Sequence, residues 1–324
     1  MTLVEDPDSL FLRSAQNALR STDGDEALRA LGWRDLLGSL EEDPDARLGV
    51  LAYFQAQGRE LGSSGALGEL MAHPYAGLFG EDRAVTATVG RRSARRGNRA
   101  IVVGTPGSNG ILIDRPGHGI SLVSLDTLEL RPIGFSDGLA LHEIESDLTD
   151  LPISLGEAQA VALRERSVQL GRLAIAYEIL GAAETALAGA VQHARDRTQF
   201  GQPIGHFQAV RHLLASARVD AAAIEALAHL SAGQYPALPP MRDAILKALA
   251  GRNGRRICER SLQVLGAMGF TAEHEHHRSH SRVLVLDALL GTSSSLAHHI
   301  AVTLRESAGV VPDLNLSVAA LRAN

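Results

Sequence analysis

The spacing of apolar residues changes twice along the chain and divides it into three stretches. In the first, residues 1 to 80, Leu10, Phe11, Ala15, Ala18 and Leu19 recur at helical intervals after an Asp6-Pro7-Asp8 start. Further Ala- and Leu-rich helical runs follow, and Gly58 to Gly68 reads as a helix crossing or a loop. In the second, residues 81 to 152, the apolar runs shorten: 100–104, 111–114, 120–125, 128–133 and 139–144, bounded by Gly, Pro, Asn or Asp. These predict β-strands joined by tight turns, the clearest turns being 106–110 and 115–119. In the third, residues 153 to 324, long helical periods return. They predict helices over about 156–193, 205–232 and 239–268, then two more over 276–306 broken near Gly291. The expected architecture is mainly α with a small central β domain: N-terminal helices, a short sheet, and a C-terminal four-helix bundle.

One break in the helical stretch stands out. Gln199-Phe200-Gly201-Gln202-Pro203-Ile204 cannot be a helix interior, because Gly and Pro punctuate it. Downstream, Phe207, Val210, Leu214 and Ala217 resume a helix face. Arg197, Gln199 and Phe200 therefore sit on a short loop between two long helices, with Gln208 on the first turns of the next. An arginine beside polar groups at a helix start suits a phosphate ligand.

Composition narrows the classes. The 324 residues are 45% hydrophobic and 21% charged, enough for a substantial core. A net charge of -6 gives no electrostatic reason to expect nucleic acid. Cys258 is the only cysteine, which excludes an intramolecular disulfide and a cysteine metal site. No apolar N-terminal run resembles a signal peptide and no uninterrupted apolar run suits a membrane span, so a cytoplasmic protein is expected.

The segment from Arg197 to Gln208 resembles a loop of the acyl-CoA dehydrogenase family, Arg-x-Gln-Phe-Gly-x-Pro-Ile followed by Phe-Gln. A second stretch, Gln263-Val264-Leu265-Gly266-Ala267-Met268-Gly269-Phe270-Thr271, is similar to the family's Gln-x-x-Gly-Gly-x-Gly-Tyr-Thr turn, with Ala267 in place of the second glycine. The resemblance is good over roughly residues 155 to 308 and poor before them. It implies that Arg197 meets the pyrophosphate of FAD and that Gln199, Phe200, Gln208, Gln263, Gly266 and Ala267 line its adenosine end, with the FAD held mainly by a neighbouring subunit. Gln208 and Gln263, as neutral amides, can both donate and accept there.

The same resemblance exposes what is missing. The family removes two hydrogens across Cα–Cβ of an acyl thioester, with a Glu as base. The two positions it uses fall here on Leu290, before Gly291-Thr292, and on Gly171, before Arg172. Neither is acidic. The family's Thr-Glu-Pro-Gly-x-Gly-Ser-Asp and Trp-Ile-Ser/Thr stretches have no counterpart, and Trp33, the only tryptophan, precedes the sheet. The pattern resembles the short subunit of heteromeric acyl-CoA dehydrogenases acting on steroid side-chain thioesters. That implies a full-length partner subunit carrying the Glu, an acyl-CoA substrate reached through the complex, and an electron-transfer flavoprotein as acceptor. Two alternatives remain at this point: an autonomous flavoenzyme with a base relocated to Asp287 or Glu178, and a flavin-free interaction subunit. The run His274-Glu275-His276-His277, with His280, invites a metal, but no third ligand is evident and Arg278 and Arg282 oppose a cation; a polar turn and helix start is the ordinary reading. Arg91, Arg92, Arg95, Arg96 and Arg99 read as a solvated strand turn.

Overall fold

A computed structural model describes residues 7–306 except 22, 80–84, 88, 94–96, 104–109, 134–138, 140 and 272; of the side chains at 7–9 and 80–99 nothing is stated. Five helices open the chain: α1 (Pro7–Ser21), α2 (Gly24–Ala30), α3 (Trp33–Ser39), α4 (Pro44–Glu60) and α5 (Ala66–Ala72). Asp23 caps α2 by accepting from Glu26 N at 2.8 Å. Asp43 caps α4 and Pro44 supplies its first turn, where a missing N–H costs nothing. Trp33, Tyr53 and Phe54 form the aromatic centre of this layer, with ring centroids 5.4 to 6.0 Å apart.

The middle of the chain makes two four-stranded sheets. One is ordered β1 (Val85–Ala87), β4 (Gly110–Arg115), β5 (Gly119–Val123), β8 (Leu155–Gly156), with β1 parallel to β4 and the other pairs antiparallel. The other is ordered β2 (Val89–Ser93), β3 (Gly97–Val103), β7 (Leu141–Ile144), β6 (Leu130–Pro132), all antiparallel. Five strands fall on the five predicted apolar runs. β1, β2 and β8 were not foreseen: two are very short, and Val-Gly-Arg-Arg-Ser in β2 has no apolar alternation. The arginine run lies on the β2–β3 pairing, Arg91 opposite Arg99; its side chains, and the turn at 106–109, fall outside the described residues.

The helical stretch is α6 (Glu157–Asp196), α7 (Gln208–Gln234), α8 (Arg242–Leu265), α9 (His276–Ala288) and α10 (Ser293–Glu306), with a small hairpin, β9 (Thr198–Gln199) and β10 (Gln202–Pro203), after α6. α8 ends earlier than its sequence pattern predicts, because residues 266–270 tighten into a 3₁₀ turn. α6 is the axis: it packs on α4, α7, α8 and α9. Its composition alone would allow a membrane span, yet 72% of that apolar window is buried inside this fold, as in a core helix. The comparably apolar stretch 276–306 is two helices rather than one span.

The Gly58 region resolves into a crossing followed by a loop. A Cβ at Gly58 would lie 2.1 Å from Glu178 O, and one at Gly181 would lie 2.1 Å from Gln55 O, so both glycines are needed for α4 and α6 to touch backbone to backbone. Arg59 and Gln55 both reach Glu184 across this contact, at 2.8 and 2.9 Å. The N-terminal helices are thereby pinned to the axis of the bundle.

Candidate functional site

The end of α6 builds the first half of the site. Arg197 N donates to His193 O at 2.9 Å and the chain then leaves the helix with Arg197 at φ -77, ψ 114. β9 and β10 pair Thr198 with Pro203 and Gln199 with Gln202. Their two-residue tip has Phe200 at φ 52 and Gly201 at φ 81. Two successive positive φ values are what a type I′ hairpin requires. Gly201 meets that without penalty, whereas a non-glycine residue held there costs roughly 1–2 kcal/mol. The strained position nevertheless carries a phenylalanine, and its side chain is 93% exposed. Phe207 meets its ring edge-on at 6.1 Å. Ile204 N closes the loop by donating to Arg197 O at 2.8 Å, and α7 starts at Gln208.

The second half comes from the end of α8. Gln263 is exposed on its last turn, Gly266 ends the helix at φ 63, and Ala267, Met268 and Phe270 project into solvent, Phe270 with 76% exposure. A small core of Ala190 and Ala194 from α6, Val264 and Leu265 from α8, and Ile204, Val210 and Leu213 beside the hairpin holds the two halves at one end of the bundle. All seven residues singled out from sequence, Arg197, Gln199, Phe200, Gln208, Gln263, Gly266 and Ala267, therefore lie at that end. Sequence reasoning did not single out Met268 and Phe270 as exposed apolar neighbours; an aromatic following the glycine turn was the available signal.

The chemistry of this end suits an anionic nucleotide. The Arg197 guanidinium makes no hydrogen bond or ion pair among the described residues. Asp196, the carboxylate beside it in sequence, accepts from Gln192 at 2.8 Å, and Glu184, more than three turns back along α6, is taken by Arg59. An uncommitted arginine, three exposed amides and the amino end of a 27-residue helix form a donor set for phosphate and ribose oxygens. Exposed Phe200 offers an apolar face beside it.

The interior between α6 and α9 differs in every respect. Gly171 and Leu290, where the resemblance implies a base, face one another. A Cβ at Gly171 would lie 2.5 Å from Leu290 Cδ1 and 2.9 Å from Met71 Sδ, so the space is already full. Arg172 donates to Leu290 O at 3.1 Å and to Asp243 at 2.7 Å. The carboxylates considered as substitutes are committed elsewhere. Glu178, 1% exposed, receives Arg282 at 2.5 Å and Gln57 at 3.1 Å, while Arg282 also donates to Leu61 O and Gly62 O. Burial pushes the Glu178 carboxyl up against the pull of Arg282. Asp287 accepts from Ser293 N and Oγ at 2.9 and 3.1 Å, fixing the start of α10, and lies 3.5 Å from Lys247. Lys247 donates to Asp287 O and Gly291 O, and burial pulls its ammonium down to about 8. The two carboxylates read as interhelical ties.

Among the described residues no group of three or more His, Cys, Asp or Glu side chains is placed to hold a metal ion. His276 and His280 do share a face of α9, with ring centroids 6.0 Å apart. His276 is buried with neither ring nitrogen bonded, and burial together with its histidine neighbours lowers it to about 4, so it is neutral near pH 7. Burial likewise pushes the Cys258 thiol up to about 12, which leaves it unreactive.

Residues 161–304 match the model of the acyl-CoA dehydrogenase C-terminal domain. The bundle is similar to the C-terminal domain of acyl-CoA dehydrogenases. The chain is 28% identical over 241 residues to acyl-CoA dehydrogenase FadE34 of Mycobacterium tuberculosis, an alignment covering 69% of this chain and 33% of that protein. It spans between 28% and 50% of the length of the first curated relatives it matches. Among solved structures it is similar to a chain of the ChsE4-ChsE5 complex of Mycobacterium tuberculosis, with TM-score 0.72 and 19% identity over 94% of this chain and 98% of that one. It is also similar to a glutaryl-coenzyme A dehydrogenase in complex with glutaryl-CoA, with TM-score 0.75 and 16% identity over 95% and 97%. The whole chain, sheets and N-terminal helices included, thus has the acyl-CoA dehydrogenase fold.

Proposed function

We propose that this chain is a non-catalytic subunit of an FAD-dependent acyl-CoA dehydrogenase and completes the nucleotide end of an FAD held mainly by a partner subunit of the same fold. The contrast between the two regions carries the reading: a donor set turned outward at one end, and a filled, non-acidic interior where the base belongs. When bound, FAD supplies the hydride acceptor for α,β-dehydrogenation of an acyl-CoA thioester. Arg197 pairs with the pyrophosphate. Gln199, Phe200, Gln208, Gln263, Gly266 and Ala267 line the adenosine end, and the strained hairpin holds Phe200 in place before the ligand arrives, which lowers the ordering cost of binding. The α proton goes to a carboxylate of the partner, and electrons leave through an electron-transfer flavoprotein. The likeness to a chain of a two-component complex supports a heteromer, and the likeness to the solved Tcur3481-Tcur3483 steroid acyl-CoA dehydrogenase variant, with TM-score 0.71 and 20% identity, makes steroid thioesters the substrate class to try first.

Purified alone, the chain should be colourless. Co-expressed with a full-length acyl-CoA dehydrogenase that retains the Glu, it should yield a yellow complex. Arg197→Ala should lower the flavin content of that complex several-fold while the two chains still co-purify. Stoichiometric FAD and acyl-CoA oxidation by the isolated chain would overturn the subunit assignment, and unchanged flavin in Arg197→Ala would remove the pyrophosphate role.

A further inference from the structure

A cleft of about 960 Å³ opens over the second half of α6, a volume at the upper end of the small-molecule range. Its floor is α6 itself. Thr185, Ala188, Gly189 and Gln192 recur at spacings of three and four and so share one helix face. A Cβ at Gly189 would meet nothing within 4 Å, so the middle of the floor is open. One wall carries Arg20, Arg59 and Glu60, from the ends of α1 and α4; the other carries Glu273, Glu275 and His276, at the start of α9.

With Glu184 at the edge of the floor, four glutamates stand against two arginines, and both arginines are committed. Arg20 bonds both oxygens of Glu60, at 2.7 and 2.8 Å. Arg59 bonds Oε2 of Glu184 at 2.8 Å, and Gln55 donates to the same oxygen. Oε1 of Glu184 is left without a partner among the described residues. Glu273 makes no ion pair among them, and Glu275 meets only Arg278, at 3.3 Å, with its side chain 76% exposed. An acidic excess alone does not make a site. His276 supplies an independent observation: it stands in the acidic wall, is 4% exposed, and has neither ring nitrogen bonded. Buried polar groups are normally hydrogen-bonded. A neutral imidazole nitrogen accepts from an ammonium N–H.

The floor also fixes a shape. From Glu184 to Gln192 the helix rises about 12 Å. Burial first, then the neighbouring Arg197 and His274, lower His193, so the turn carrying Glu273 and Glu275 stands beside the Gln192 end. Carboxylate oxygens therefore flank both ends of a strip of small residues.

We propose that this cleft binds a linear polyamine, with its methylenes on Ala188 and Gly189, one ammonium group at Oε1 of Glu184, and another at Glu273, Glu275 and His276. The glutamate excess disfavours an anion, and among the described residues no three side chains are placed to hold a metal ion. The site goes beyond the flavin-sharing reading and does not depend on it, since the two use different residues.

Calorimetric titration of the full chain with spermidine at low ionic strength tests this. One molecule should bind per chain, and a monoamine of equal length should bind several-fold more weakly. Glu273→Gln should weaken spermidine binding several-fold. Glu225→Gln, the same change of charge on α7 outside the cleft, should leave it unchanged. Gly189→Leu introduces a better helix former whose side chain enters the open floor; it should abolish binding with an unchanged far-ultraviolet spectrum. Ala188→Leu, at an exposed position on the same floor, should do the same. Absence of saturable binding, binding that survives both leucine variants, or an equal loss in Glu225→Gln would overturn the proposal. A chain that binds spermidine at this cleft but whose complexes never hold flavin would instead retire the nucleotide reading and leave this one standing.

Discussion

The two ends of the α6–α8 pair solve opposite problems. Around Gly171 and Leu290 the chain has closed itself: a glycine admits a leucine and a methionine, and every nearby charge is tied to another element. Around Phe200 and Phe270 it has done the reverse, holding an aromatic at a left-handed backbone position and leaving an arginine uncommitted. Strain and exposure are concentrated at the hairpin end and eliminated in the filled interior, which is the distribution the proposed function requires. The difference teaches that one helix pair can close its interior and open its end: the volume at Gly171 and Leu290 is core.

Three substitutions break or sharpen that contrast. The largest effect belongs to the closed interior. Arg282→Leu leaves Glu178 buried without its cation, and breaking such a pair costs about 3–5 kcal/mol; chemical denaturation should show the midpoint falling accordingly, and a loss under 1 kcal/mol would mean that the interior is not closed as described. Gly171→Ala comes next. Its Cβ enters space held by Leu290 and Met71, and overpacking of this kind costs about 1–3 kcal/mol. A neutral or stabilising result by the same measurement would reveal an unfilled pocket at the base position. The smallest effect has the opposite sign. Phe200→Gly relieves the left-handed strain at the exposed tip and should raise stability by up to about 1 kcal/mol, while the co-expressed complex loses flavin. A variant that is less stable, or one that keeps full flavin content, would show that the tip serves the monomer's own packing.

Much of this was legible from residues alone. The long apolar periods placed α6 to α10, and Gly201 with Pro203 marked the break that became the hairpin. The strands were readable only where apolar runs lay between turn residues. β1 and β8 were not, since segments this short become strands through the neighbours they pair with, Gly110–Leu112 and Gly119–Ile120. Asp287 and Glu178 illustrate another limit. Each is spaced to share a helix face with a base position, and spacing cannot say that Ser293 and Lys247 claim one while Arg282 and Gln57 claim the other.

Local order along the chain determined the helices, the hairpin, the identity of the exposed polar and aromatic groups at 197–208 and 263–270 and the absence of acid at Gly171 and Leu290, because capping, turn chemistry and side-chain type act over a few residues. Only the tertiary structure decided that residues 197–208 and 263–270 share one end of the bundle, that the two base positions press against each other, and that His276 is buried without a partner at the wall of a cleft. Those facts depend on which surfaces meet between segments far apart in the sequence, and burial and backbone approach, as at Gly58 and Gly181, are properties of the packed molecule.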